Sequence, residues 1–479
     1  MRIFFIVTIF TSQLEKLDCA YQKEYHMSTT LEEKIKEFVR GQGVEVVGLA
    51  GPDRLDGPPS LDPTYTMKGA KSIVSMAIPM NQDAIHDYMS KKSAAPHNVD
   101  QVKENQRMFR ISQMVAGYIR SLGYKAEVVP PNGSYRRHPY IFATLPSFSH
   151  RFGAIAAGIA GQGWSGNVMT EEYGAATYLG TVVTDAVLES DPLRYSPRHF
   201  VDDWCKKCRV CDKVCPLGMF IGDNEEYILI NGELHPRAKR RDINLCNGGC
   251  FGLHGLSNDK KWTTWAYHWT KAWMDFPLEK LTALKVIPEF VRRAMWTGDS
   301  APRYVMIRKI AGYMIKDEIL NDYLNKHPER MSQEEYKKEF IAFSERLGVK
   351  GLQDDTLLTC GNCGLVCGPS VAESAERYRL LTQSGLVVKA ASGNMVNVPT
   401  YEEALKVRQL PQRSAWAKLK DGLTFSLVFS KWYLGFEPKS FIQGIQYSRR
   451  LKKSVKERIK GHRLYVTAAN VENLSQAAD

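Results

Sequence analysis

Cys205-Lys206-Lys207-Cys208-Arg209-Val210-Cys211-Asp212-Lys213-Val214-Cys215-Pro216 is the stretch on which the reading of this chain turns. Its spacing is C-x2-C-x2-C-x3-C-P, the arrangement that ligates cubane iron–sulfur clusters; zinc ribbons use paired C-x2-C units instead. Two-residue gaps let three thiolates wrap one face of a cubane. The fourth sits on the following helical turn, points away and reaches a neighbouring cluster. A second motif, Cys360-Gly361-Asn362-Cys363-Gly364-Leu365-Val366-Cys367-Gly368-Pro369, keeps C-x2-C-x3-C. It lacks the first cysteine of the run and carries Gly368 before the proline.

The crossing of fourth ligands predicts the pairing. One [4Fe–4S] cluster takes Cys205, Cys208, Cys211 and Cys367; the other takes Cys360, Cys363, Cys215 and one more thiolate. Cys246 and Cys250 are the candidates for that place. Phe251 beside Cys250 tilts the choice slightly towards Cys250, and both stay open. The expectation is a bipartite two-cluster, ferredoxin-like module over 199–255 and 355–372. Cys19, the tenth cysteine, stands alone and is given no role.

The rest of the chain is read around this module. Its 479 residues suffice for two or three domains. Clustered cysteines argue for metal ligation rather than a secreted disulfide framework, and cluster assembly points to a reducing compartment, with a cytoplasmic setting expected, or to a protein exported already folded. The net charge of +12 suits an acidic partner: an external low-potential electron donor of the ferredoxin or flavodoxin type, a membrane surface or a nucleic acid, among which composition does not choose. Residues 3–10 (IFFIVTIF) form an apolar run too short to span a bilayer, with no A-x-A cleavage site after it. Residues 1–26 are therefore expected to be a non-structural extension.

From Met27, helices are predicted at 28–42 and 104–122, and strands at 44–50, 71–80, 126–130 and 177–188. The longer helix should present Met108, Ile111, Met114, Val115, Tyr118, Ile119 and Leu122 on one face. This alternation makes 27–198 an α+β domain. Residues 256–354 read as a helical insertion with Trp262, Trp265, Trp269 and Trp273 at helical spacing, more a packing face than a cofactor box. Residues 373–479 form a C-terminal extension ending in a basic segment, SRRLKKSVKERIKGHR (448–463). The Trp stripe and the basic tail together admit a peripheral membrane contact.

Two clusters sharing interleaved ligands move electrons and seldom act on a substrate themselves, so the domain before them matters. Its last stretch, AAGIAGQGWSGNVMTEEYGAATYLGTVVTD (156–185), followed by the first cysteine motif, resembles the cobalamin-dependent iron–sulfur reductases. These comprise the reductive dehalogenases and the epoxyqueuosine reductases. Gly161-Gln162-Gly163-Trp164-Ser165-Gly166 is similar to the glycine turn of the queuosine enzymes. Thr170 with Tyr173-Gly174 is similar to the T-P-E-Y-G of dehalogenases. The resemblance covers about 70–250 and 355–370.

It implies a nitroreductase-like domain holding base-off cobalamin, with Gly161, Gly163, Trp164, Ser165, Gly166, Tyr173 and Gly174 binding the cofactor. It also implies a small organic substrate, with reductive dehalogenation the first reaction to consider. The family's acids do not carry over. Where dehalogenases have a tyrosine donor this chain has Met108 and Phe109, with Ser165 and Asn167 at the supporting base. The acidic position of the queuosine enzymes falls near Ser147. Tyr135, beside Arg136 and Arg137, and His150, with its ordinary pKa near neutrality, are the local proton-donor candidates. Two alternatives stay open: an electron-transfer subunit without substrate chemistry of its own, and a tRNA-modifying reductase like the queuosine enzymes, which the basic charge permits but Ser147 and the lack of a recognisable RNA-binding module disfavour.

Overall fold

The computed structural model describes residues 30–130, 135–136, 145–241, 246, 254–266, 269, 360–392, 394–408, 414–416, 419, 423 and 438–475. The N-terminal extension, Cys250, Trp273 and nearly all of the expected helical insertion lie outside the described residues.

The first domain is α+β. Its sheet runs in the order β1 (Val46–Ala50), β2 (Ser72–Pro79), β8 (Thr177–Thr184), β3 (Ala126–Val128), and every pairing in it is antiparallel. β2 and β8 sit in the middle, and their near-continuous apolar sequences follow from burial on both faces. One face is covered by α1 (Leu31–Gly41) and α3 (Ala95–Ser121). Ile35, Val39, Met108, Ile111, Val115 and Ile119 there meet Leu49, Val74, Met76 and Val182. Thr30 caps α1 by accepting from the Glu33 amide at 3.2 Å.

The helix predicted at 104–122 begins earlier, at Ala95, with a proline in its first turn where a missing N–H costs nothing. Met114, expected in the core, is 47% exposed. The buried stripe steps through 108, 111, 115 and 119, which turns position 114 outward.

The other face of the sheet is covered more tightly by α4 (His150–Ala156) and the small residues after it. A Cβ on Gly48 would lie 2.3 Å from the Ala157 carbonyl oxygen, so strand and chain can approach this closely only through glycine.

The cysteine run follows as a π turn (Val201–Cys205) and two short helices (Lys206–Cys208, Val210–Lys213), with Arg209 left-handed between them. A long hairpin, β9 (Phe220–Ile230) and β10 (Glu233–Arg240), packs back towards the first domain. The second motif turns through a short helix (Asn362–Leu365) into the helix Val371–Thr382, the hairpin β11–β12 (Leu386–Lys389, Met395–Val398) and the helix Tyr401–Val407.

Two boundaries change. The division drawn at 372 cuts the helix Val371–Thr382, whose Arg377 and Leu381 are fully buried, so the module continues to at least residue 408. The tryptophans at 262, 265 and 269 are not on a helix. Their segment is held by the bridges Leu256–Thr263 and His254–Trp269, and Trp262 and Trp265 are buried with Tyr88, Val214 and Leu381. They are packing residues of the module, not part of the insertion.

The basic tail belongs to the helix Pro438–Ser475, one end of which docks on the fold. The Leu229 amide donates to the Tyr447 hydroxyl oxygen at 3.0 Å, Gln443 donates to Asp62 at 2.9 Å, and Arg450 pairs with Asp56 at 2.7 Å. No helix among the described residues is long and apolar enough to cross a membrane.

Candidate metal centre

The fold brings the described cysteines of the two motifs into two neighbourhoods. Cys205, Cys208, Cys211 and Cys367 line one narrow cavity with Trp164, Met169, Trp204, Val210 and Val366. Cys215, Cys246, Cys360 and Cys363 lie within electrostatic reach of one another. Cys246 lies near the second of these groups, and Cys250, the other candidate, lies outside the described residues. Cys211 also senses Cys363, so the two sets adjoin.

Burial pushes the Cys205 thiol up to about 11 and those of Cys215 and Cys367 up to about 12. Buried thiols of this kind are poor nucleophiles, but a metal displaces their protons. Among the described residues no three His, Cys, Asp or Glu side chains are gathered as they would be around one bare ion. The expectation of a cluster rests on the cysteine spacing, since thiolates at the corners of a cubane stand farther apart than the ligands of a single ion. Two orphaned polar groups at the second set agree with this. Lys91 Nζ and the Asn362 amide are buried with no hydrogen-bond partner among the described residues, as a charged inorganic group beside them would allow.

The glycine turn lies between the two sets. The Trp164 amide donates to Cys205 Sγ at 3.4 Å, and Asn167 Nδ2 donates to Cys363 Sγ at 3.6 Å. The Trp164 indole donates to Asp212 at 2.9 Å while the Arg209 guanidinium stacks 3.5 Å above its ring.

The glycines serve packing. A Cβ on Gly161 would lie 2.6 Å from the Phe200 ring, on Gly163 2.8 Å from Met169 Sδ, and on Gly166 3.0 Å from the Arg240 guanidinium. At Gly174, where φ is +63°, it would fall 2.2 Å from the Gly368 carbonyl oxygen. Trp164 and Ser165 are buried as well. On the Cβ side of each of these glycines the space is taken by protein, so the close approach that glycine allows there is to the chain itself. Tyr173 is half-buried with its phenol pKa raised by burial and by nearby Glu172, which weakens it as an acid.

His150 also differs from expectation. Its Nδ1 lies 2.8 Å from Thr181 Oγ1 on β8, and burial lowers its pKa to about 4. It is neutral at pH 7, so the near-neutral pKa that made it a donor candidate is absent. The Tyr135 backbone forms a two-residue strand with Pro146, and its side chain lies outside the described residues. Residues not singled out in the sequence now stand at the cysteines: Lys91, Arg151 and Arg240 at the second set, Asp212 and Arg377 at the first. Nothing marked them in the sequence, where Lys91 and Arg240 sit in ordinary basic runs.

The chain is similar to known reductases. The chain is 22% identical over 310 residues to the tetrachloroethene reductive dehalogenase of Desulfitobacterium hafniense (strain Y51), covering 62% of this chain and 50% of that protein. It is 36% identical over 69 residues to the epoxyqueuosine reductase of Listeria monocytogenes, covering 14% of this chain and 16% of that one. A solved epoxyqueuosine reductase bound to a tRNA-Tyr stem loop aligns with a TM-score of 0.32 at 16% identity, over 74% of this chain and 81% of that one. No model of a known family matches the chain. The chain spans about half the length of the dehalogenases it matches. The chain is thus similar, at a distance, to reductive dehalogenases and epoxyqueuosine reductases, both of them reductases.

Proposed function

We propose that this protein is an oxidoreductase that holds two [4Fe–4S] clusters, one on Cys205, Cys208, Cys211 and Cys367 and one on Cys215, Cys246, Cys360 and Cys363. The observation that supports the reading is the meeting of two remote cysteine motifs in two adjoining, mostly half-buried sets. When bound, such clusters supply one-electron couples. The chain's own residues would do the rest. Trp164, Trp204, Met169 and Val366 exclude water from the first set. The Trp164 amide and Asn167 direct hydrogen bonds at a sulfur of each set.

The electrons would come from an external low-potential donor of the ferredoxin or flavodoxin type. The resemblance to cobalamin-dependent iron–sulfur reductases adds a corrinoid and a small organic substrate to this reading, with a halogenated compound the first to test; the names of the relatives support it. No step is assigned to a corrinoid here, because at the turn's glycines the close approach is to the chain itself. A second reading, in keeping with that, is an electron-transfer protein without substrate chemistry of its own.

The test is metal content of anaerobically purified full-length protein made with cobalamin supplied. About eight irons per chain are expected, four to each cubane. Zinc in place of iron would end the cluster reading. About one cobalt favours the corrinoid reductase; eight irons without cobalt favour the electron-transfer protein.

A further inference from the structure

The helix Pro438–Ser475 has two different sides. One lies on the fold. Gln443 donates to Asp62, Tyr447 accepts from the Leu229 amide, Arg450 pairs with Asp56, and the Arg458 guanidinium stands 5.4 Å from the centre of the Tyr227 ring. Leu451, Ser454 and Val455 are half-buried along the same side. At 3.6 residues per turn these positions share one half of the helix.

The opposite half carries Arg449, Lys452, Lys453, Lys456 and Lys460, all exposed. Steps of three and four residues confine them to an arc of roughly 120°, over roughly 17 Å of helix. Arg449, Lys452, Lys456 and Lys460 have no carboxylate partner among the described residues. Lys453 reaches Glu457 at 3.9 Å, a long and exposed pair that neutralises little. Cations held this close together repel one another, and the fold supplies nothing to offset them on this side. The docked side fixes the helix, so the basic side faces outward as a fixed stripe.

Exposed apolar side chains decide between the anionic partners such a stripe fits. Ile442, 54% exposed, and Ile445 continue it towards the start of the helix. In the segment before that helix, Trp416 is 71% exposed, and Leu419 and Leu423 follow at helical steps of three and four, exposed as well. Over 442–460 the outward stripe has no aromatic ring on which a nucleic-acid base would stack. Aliphatic side chains and a tryptophan beside clustered lysines suit the boundary between lipid headgroups and acyl chains. The geometry points to a peripheral membrane site: the outward side of this helix lies on a bilayer bearing anionic phospholipid, with its cations on the headgroups and Ile442 and Ile445 at the acyl boundary. This inference stands apart from the cluster reading and goes beyond it.

The experiment is flotation of the full-length holoprotein with vesicles of phosphatidylcholine alone or mixed with phosphatidylglycerol. Wild type should float with the mixed vesicles only, and less so as salt is raised. Lys452→Gln/Lys453→Gln/Lys456→Gln should weaken that binding at least tenfold, roughly, since each cation near an anionic surface adds to it. Lys68→Gln/Lys71→Gln/Lys103→Gln removes the same net charge from exposed positions elsewhere and should bind as wild type does. Denaturation midpoints equal to wild type show that both variants keep the fold. If the helix variant does not keep it, Arg449→Gln/Lys460→Gln takes its place and must weaken binding in the same direction. The inference is overturned if wild type ignores anionic vesicles, or if the two triple variants lose binding equally. It is also overturned if the helix variant loses binding to bulk tRNA but not to vesicles, which would make the partner a nucleic acid.

Discussion

The two cysteine sets share one ligand chemistry but are assembled differently. Three thiols of the first set come from seven consecutive residues, 205–211, on a π turn and two short helices, and only Cys367 arrives from elsewhere. The second set draws on Cys215, Cys246 and the pair Cys360 and Cys363, three segments spread over almost 150 residues. The first is largely made by local structure. The second exists only once the second motif has docked. Docking depends on close backbone contact: the Ala175 amide donates to the Cys367 carbonyl at 3.1 Å, and Gly174 lies against Gly368.

The largest expected effect comes from breaking one set and reading the other. Cys208→Ala and Cys363→Ala should each lower iron from about eight to about four per chain, since each cubane needs four thiolates. The surviving clusters should differ in robustness. The cluster left by Cys363→Ala, on the locally built set, should outlast the one left by Cys208→Ala during dilution into chelator. Equal lifetimes would mean that local assembly confers no advantage. Loss of all iron in both variants would mean that the sets are not separable.

A smaller effect is expected at the junction between the motifs. Gly174→Ala places a methyl group on the Gly368 carbonyl, an overpacking cost of about 1–3 kcal/mol, at a left-handed φ that costs a further ~1 kcal/mol. Gly123, also left-handed with φ +94°, has nothing within 4 Å of its Cβ position, so Gly123→Ala should show the backbone cost alone. The difference between their denaturation midpoints measures how much the docked motif resists displacement. If the two variants were equally stable, the junction would not be tight, and the contrast between a local and a docked set would lose its basis.

This contrast explains what was legible in the sequence. Cysteine spacing is a local constraint imposed by cluster geometry, so a grouping of seven thiols could be written down from the chain alone, while spacing left Cys246 and Cys250 open for the eighth place. The central strands were also legible, because SIVSMAIP and TYLGTVVT are apolar on both faces. The glycine turn was only half legible, because glycine marks only that something comes close. It does not say whether the neighbour is a ligand or Phe200. The tryptophans at 262, 265 and 269 were misread as helical because spacing of three and four also occurs in an irregular segment pinned by bridges. Lys91 was illegible, since its significance lies in a partner 269 positions away, Cys360.

The smallest effect tests the region that stands apart from both sets. His150 lies under the sheet, on Thr181 of β8 rather than on either group of cysteines. Its pKa is lowered to about 4 by burial, while in the unfolded chain it is near 6.5. Between those values the unfolded chain binds the extra proton, so stability attributable to this residue is present above pH 6.5 and is lost as pH falls towards 4, by at most ~1.4 kcal/mol per pH unit. His235, also lowered to about 4, contributes the same sign and remains in a His150→Gln variant. The difference in slope between wild type and variant therefore isolates His150. A flatter slope for the variant, with unchanged iron content, is the expected outcome. It would show that the α+β domain answers to pH on its own terms. Identical slopes would mean that His150 is solvated, and would restore to it the near-neutral pKa that a proton donor needs.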